Sequence, residues 1–188
     1  MSAINAPFGF SAAYGPNGLL RPRKYTIASG YATGIQSGSP VMLEGVGGTI
    51  TLAGTTGDLL GIFVGVEYVD ATGKPTISNQ WPAGQTTLAG SAIVAWVMDD
   101  YTAIFEVQSV GSVLQANIGE ECNTTAITGS TFTGLSSTTV AAPNGTTQSQ
   151  WRIVGFGQAL DNTPGDAFTV LQVSLAQSQI AFANKVGV

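Results

Sequence analysis

The chain has no histidine, one cysteine, and only six basic and eleven acidic residues among 188. Without histidine, Ser-His-Asp triads, Cys-His pairs and His-ligated zinc are all excluded within it. The lone Cys122 excludes an intrachain disulfide and any multi-cysteine metal site. Phosphate binding needs clustered Lys and Arg, so a net charge of −5 argues against nucleic acid as a main partner. Arg21, Arg23 and Lys24 fall within four positions, and beyond them only Lys74, Arg152 and Lys185 remain. No run of residues approaches the 18 or so apolar positions of a transmembrane helix, and no membrane partner is expected. Met1 to Phe10 lacks the basic start and apolar stretch of a secretory signal. The chain is therefore expected to be made and used in a cytoplasm, or in an assembly built there.

What is abundant is equally informative. There are 25 Gly and 8 Pro, and with Ser and Thr they make up more than a third of the sequence. That profile belongs to β-rich surface and virion proteins. Low charge on a soluble protein points to a surface covered by neighbours. The length suits one ordinary domain or two very small ones, and a chain of this mass buries about 70% of its unfolded surface and builds a core without disulfides or metals.

Residues 1–24 read differently from the rest. Pro7, Gly9 and two aromatics occur in the first ten positions, Gly15 to Gly18 follows as a turn-like stretch, and neither a 3.6 nor a 2 period is present. The segment is predicted to be an extended N-terminal arm, ordered only by whatever receives it. Stretched out, it would reach about 80 Å at ~3.3 Å per residue. Residues 25–188 are predicted to be the body, a single all-β domain of β-sandwich or jelly-roll-like form, or an open barrel.

Within the body, strands are expected at Tyr25 to Ile27, Val41 to Leu43 after Pro40, and Thr49 to Leu52. In Leu59 to Val69, Leu60, Ile62, Val64, Val66 and Tyr68 fall at period two, and Gly61 and Gly65 signal a bulge or a close backbone approach. Asp70 to Gly73 is a turn, with Lys74 to Ile77 returning as a hairpin. The continuous apolar run Ala92 to Val97 suggests a strand buried on both faces, with Trp96 in the core. Met98, Asp99 and Asp100 then turn the chain into Tyr101 to Val107. Residues 123–150 are polar and low in complexity, with short strands predicted at Thr131 to Leu135 and Thr138 to Ala141. Trp151 to Leu160 pairs with Phe168 to Leu175, whose Thr169, Leu171, Val173 and Leu175 form one face. Helix signals are poor. Val110 to Asn117 and Ala176 to Val186 are the best candidates, and Gly and β-branched residues argue against both.

Few constellations could carry chemistry. Asp99 and Asp100, like Glu120 and Glu121, could bind Ca²⁺ or act as acid and base, but Asp99 and Asp100 sit where Asp is favoured as a turn residue. Asp161 to Asp166 fails the spacing of a calcium loop and contains Pro164 and Gly165. Gly45 to Gly48 resembles a phosphate-cradling loop only in its glycines. No Ser-x-x-Lys replaces the missing histidine as a serine activator. Cys122 follows two carboxylates, which raise a thiol pKa and lower its reactivity. Trp81 and Trp151 are either core or a sugar-binding platform. No enzyme activity, metal or cofactor is expected.

The arm carries the clearest functional signal. Exposed aromatics on an unfolded segment are a liability unless a groove takes them. Pro7, Phe8, Phe10 and Tyr14 are therefore predicted to dock into a partner, with Arg21, Arg23 and Lys24 meeting an acidic rim.

Asn5 to Phe10, Tyr25 to Gly30, Gly61 to Tyr68, Thr133 to Ser136, Trp151 to Val154 and Leu160 to Asn162, in this order, resemble the small structural proteins of tailed bacteriophage virions. The matching stretches are turns and strand ends rather than a diagnostic motif. The resemblance implies a capsid cement or decoration protein, a β-sandwich or jelly-roll-like body on the outside of the shell between major coat subunits. It implies a homo-oligomer, more readily a trimer than a dimer, assembled in the bacterial host cytoplasm and located on the virion. Two rival classes are a receptor-binding or fibre-knob protein using Trp81, Trp151 and the Ser/Thr loops on surface glycans, and a carboxylate-dependent glycosidase, which nothing in the sequence supports.

Overall fold

The computed structural model describes residues 4–15, 18–45, 48–143, 145 and 148–181. The first half holds β1 (Ser11–Tyr14), β2 (Arg23–Tyr25), β3 (Ile35–Gln36), β4 (Pro40–Leu43), β5 (Ile50–Leu52), β6 (Gly61–Val69), β7 (Pro75–Ser78), β8 (Gln80–Trp81) and β9 (Val94–Met98). The second half adds β10 (Ile104–Val110), β11 (Glu121–Cys122), β12 (Gly129–Ser130), β13 (Leu135–Ser136), β14 (Val140–Ala141), β15 (Trp151–Phe156) and β16 (Val170–Leu175). The protein is all-β, as its composition predicts. The helix candidate over Val110 to Asn117, against which Gly and β-branched residues argue, holds a single 3-10 turn, Gln115–Asn117. Residues 176–181 are not helical, and 182–188 lie outside the described residues.

Two six-stranded sheets make up the body. The first runs β1-β10-β16-β15-β11, with β14 parallel alongside β10. The second runs β2-β9-β6-β4-β5, with β7 also on β6. Two small ribbons, β3–β8 and β12–β13, complete the set. The first sheet follows the sequence closely. Phe105, Val173 and Ile153 stand opposite one another across β10, β16 and β15, and all three are fully buried. Burial of each is worth roughly 1.5–3 kcal/mol.

The apolar interior is divided. One core gathers Phe10, Phe105, Val107, Trp151, Ile153, Leu171 and Val173. The other gathers Val41, Ile50, Phe63, Val66, Trp81, Ala95 and Val97 inside the second sheet. That sheet curls back on itself: the Ile50 amide in β5 donates to the Thr26 carbonyl just beyond β2, at 2.8 Å.

β6 bridges the two cores by changing phase. Phe63 pairs with Val97 and Gly65 with Trp96, leaving Val64 as the extra residue of a bulge. Ile62 therefore joins the first core, and Phe63, Val66 and Tyr68 the second. The single face predicted from period two is thus split. Gly61 fulfils the predicted close approach, because a Cβ there would collide with the Met98 carbonyl.

Three further expectations are corrected. The stretch after β9 does not fold back as a hairpin: β9 belongs to the second sheet and β10 to the first, so residues 99–103 cross between sheets. β9 is buried on one face only, and Trp96 points outward, half-buried. Nor is the N-terminal segment a free arm. β1 pairs with β10 (Ser11 opposite Glu106, Ala12 opposite Phe105). Phe10 is 4% exposed and stacks on Trp151 with ring centroids 4.3 Å apart. β2 then lines up along β9, so the predicted boundary between residues 24 and 25 falls inside a strand.

Candidate interaction surface

The residues predicted to dock into a partner are dispersed by this fold. Phe10 is withdrawn into the first core. Tyr14 lies half-exposed on the outermost strand of the first sheet, opposite Ile104. Arg21 is exposed. Arg23 and Lys24 belong to the second sheet and already have partners within the chain. Arg23 sits 3.4 Å from the buried carboxylate of Asp99, which also accepts a 2.6 Å hydrogen bond from the Tyr25 hydroxyl. Burial, then that hydrogen bond, hold the Tyr25 hydroxyl well above the ordinary tyrosine range. Lys24 Nζ lies 5.3 Å above the Trp96 ring, whose indole N–H donates to Glu67 at 2.9 Å. Arg23 thus meets a carboxylate, and Lys24 an aromatic ring, within the protein itself.

Pro7 and Phe8 remain together at the surface. A buried glutamine that the sequence did not single out fixes the backbone before them. Gln108 Oε1 accepts the Ala6 amide at 3.0 Å, and its Nε2 donates to the Ile4 carbonyl at 3.0 Å. The side chain thereby imitates a strand partner for residues 4–6. Phe8, held by this clamp, divides two shallow hollows. One, of about 390 Å³, is lined by Pro7, Phe8, Leu135 and the small residues of β12 and β13. The other, of about 280 Å³, is lined by Ala6, Phe8, Gln108, Ala159 and Val170 among others.

Large apolar side chains are exposed on the loops that line these hollows, as they are elsewhere on the surface, Ile77 among them. Phe132 is 97% exposed and Leu135 53%. Leu160, fully exposed, follows Ala159 of the second hollow. The loop carrying it is a turn built on Asn162, whose side chain bonds to the main chain of Gly157 and Val170. The calcium reading of Asp161 to Asp166 is not needed to explain that loop. Residues 123–150, read as low in complexity, supply much of the first hollow. The signal that could have found it is the isolated Phe132 between threonines.

The remaining chemical candidates are engaged structurally. Asp99 is buried under Arg23 and Tyr25, and Asp100 caps a turn by accepting from the Thr102 amide at 2.9 Å. Glu121 pairs with Arg152 at 2.8 Å and accepts the Ser149 amide. Glu120 accepts from the Asn117 side chain. Cys122 is buried, and burial followed by the Glu121 charge pushes its thiol pKa up to about 12. Trp81 and Trp151 are both fully buried, so neither can form a sugar platform. In Gly45 to Gly48, Val46 and Gly47 lie outside the described residues. Among the described residues no cluster of three or more His, Cys, Asp or Glu could hold a metal ion, and no helix is long and apolar enough to cross a membrane.

Comparison of the chain with protein-family models, curated proteins and solved structures finds no match.

Proposed function

We propose that this is a structural protein of a tailed-phage virion, bound to the outer surface of the capsid between major coat subunits and stabilising the expanded shell. The observation that carries this reading is the uncharged hollow beside Phe8, lined by Pro7, Leu135 and small residues of β12 and β13, with Phe132 exposed on the hairpin that lines it. An apolar hollow left open to water is the kind of surface a partner covers. A protein that binds only the expanded lattice stabilises it by mass action. Many copies, each modest in affinity, act together when the protein is a symmetric oligomer, and a trimer suits the three-fold positions of a coat lattice. The glycan-binding alternative loses the two tryptophans it depended on.

The test is the copy number per purified virion, by quantitative mass spectrometry against the coat protein. A ratio near one per coat subunit, or a simple fraction such as one third, is expected. A handful of copies, or none, would move the protein to a vertex, tail or non-virion role.

A further inference from the structure

Phe132 is 97% exposed, yet it does not sit on a loose loop. The turn that carries it, between β12 and β13, is closed by the Gly134 amide donating to Ser130 O at 2.8 Å. It is tied to the body at both shoulders. Gln80 Nε2 donates to Thr131 O at 2.8 Å and Asn79 Nδ2 to Thr133 O at 2.9 Å. Ser37 adds main-chain bonds, its amide to Gly134 O at 3.0 Å and its carbonyl from the Ser136 amide at 2.8 Å. Gly134 has φ +70°, and a Cβ there would run into the Asn79 side chain. The backbone that displays the ring is therefore fixed in advance, which lowers the ordering cost of binding through it.

The surroundings define what could cover it. No Asp, Glu, Lys or Arg occurs between Cys122 and Arg152. Buried interface centres are depleted of charge and enriched in aromatics, so this neutral ridge matches an uncharged apolar surface. The ring is convex and has no walls. A sugar would need convergent polar groups around it, and the amides of Asn79 and Gln80 are already committed to the turn.

We propose that Phe132, on its anchored hairpin, is the plug that seats this protein in an uncharged apolar groove of the coat shell. This rests on the shell-binding reading above. The full-length protein and its Phe132→Ser and Phe132→Leu variants would be titrated against purified, emptied, expanded shells of the major coat protein. Melting curves and mass by light scattering would be recorded for each. Phe132→Ser is expected to melt as the wild type and to bind at least about tenfold more weakly, with Phe132→Leu largely restoring affinity. Wild-type affinity should change by less than about threefold between low and high salt, since no ion pair is formed at the plug. Wild-type binding by Phe132→Ser, or a steep salt dependence, would overturn the plug and leave the shell reading standing. Failure of the wild type itself to bind shells would overturn both. A smaller mass for Phe132→Ser with undiminished shell binding would assign the plug to a second copy of this chain, against the proposal.

Discussion

Phe8 and Phe10 are two positions apart and lie in opposite environments. Phe10 is sealed against Trp151, and Phe8 is 41% exposed on the rim of two hollows. Removing a buried aromatic leaves a cavity as well as losing its transfer energy. Phe10→Ala is expected to lower stability by about 3–5 kcal/mol in urea unfolding, and Phe8→Ala by less than about 1 kcal/mol. Equal losses would mean that Phe8 also belongs to the core. The Tyr25–Asp99 pair gives a second prediction at this scale. The folded state holds the Tyr25 hydroxyl above its unfolded pKa, so it favours the neutral form. The stabilisation is fully present below about pH 10 and is lost as pH rises toward the folded value. Tyr25→Phe should therefore be less stable at neutral pH, having lost the bond to buried Asp99, but its stability should fall less steeply above about pH 10. Parallel stability curves for the two proteins in that range would refute the assignment.

At the scale of elements, hairpin β12–β13 depends on side chains from another part of the chain. Asn79→Ala removes one shoulder of the turn. Amide exchange at Gly134 and Ser136 should accelerate severalfold while the global melting temperature moves little, because the turn opens locally. Unchanged exchange would show that Gln80 and Ser37 hold the turn alone. The same contrast between local and distant contacts explains what the sequence could and could not reveal. The alternation of Leu171, Val173 and Leu175 announces β16 directly, and the turn from Asp70 to Gly73 announces the hairpin β6–β7. The phase change in β6 is invisible, since two glycines suggest a bulge without saying that Val64 is the doubled residue. Trp96 misleads because an apolar run does not show whether one face or two are covered. Here the Glu67 carboxylate and the Lys24 ammonium serve its outward side. The N-terminal segment misleads most. Ser11 to Tyr14 has no pattern of its own and becomes a strand through β10, some ninety residues away. Phe8 was legible as an exposed aromatic. The hairpin displaying Phe132 lies in the polar, low-complexity stretch, where a strand is predicted over Thr131 to Leu135 and the structure places the turn between β12 and β13.

At the scale of the molecule, the two cores are bound together by glutamines and by the N-terminal segment. Gln179 brackets Leu43 with bonds of 2.7 and 3.2 Å to its amide and carbonyl. Buried Gln150 donates to the carbonyls of Gly54 and Gly57. Leu59 exchanges main-chain bonds with Gln177 and Gln179. The first 25 residues supply β1 to one sheet and β2 to the other. Deleting residues 1–24 thus removes an edge strand, the ring stacked on Trp151 and most of β2. Both sheets depend on this segment, so the truncated protein is expected to lose its cooperative melting transition. Its tryptophan emission should shift to longer wavelength as Trp151 meets water. A truncated protein that melts as sharply as the full chain, with Trp151 still shielded, would restore the separate-arm picture. Loss of shell binding on truncation is therefore not evidence for a docking arm, because the body fails with it. Only substitutions at exposed positions such as Phe8 and Phe132, made in a chain that still melts normally, separate the contact surface from the fold that presents it.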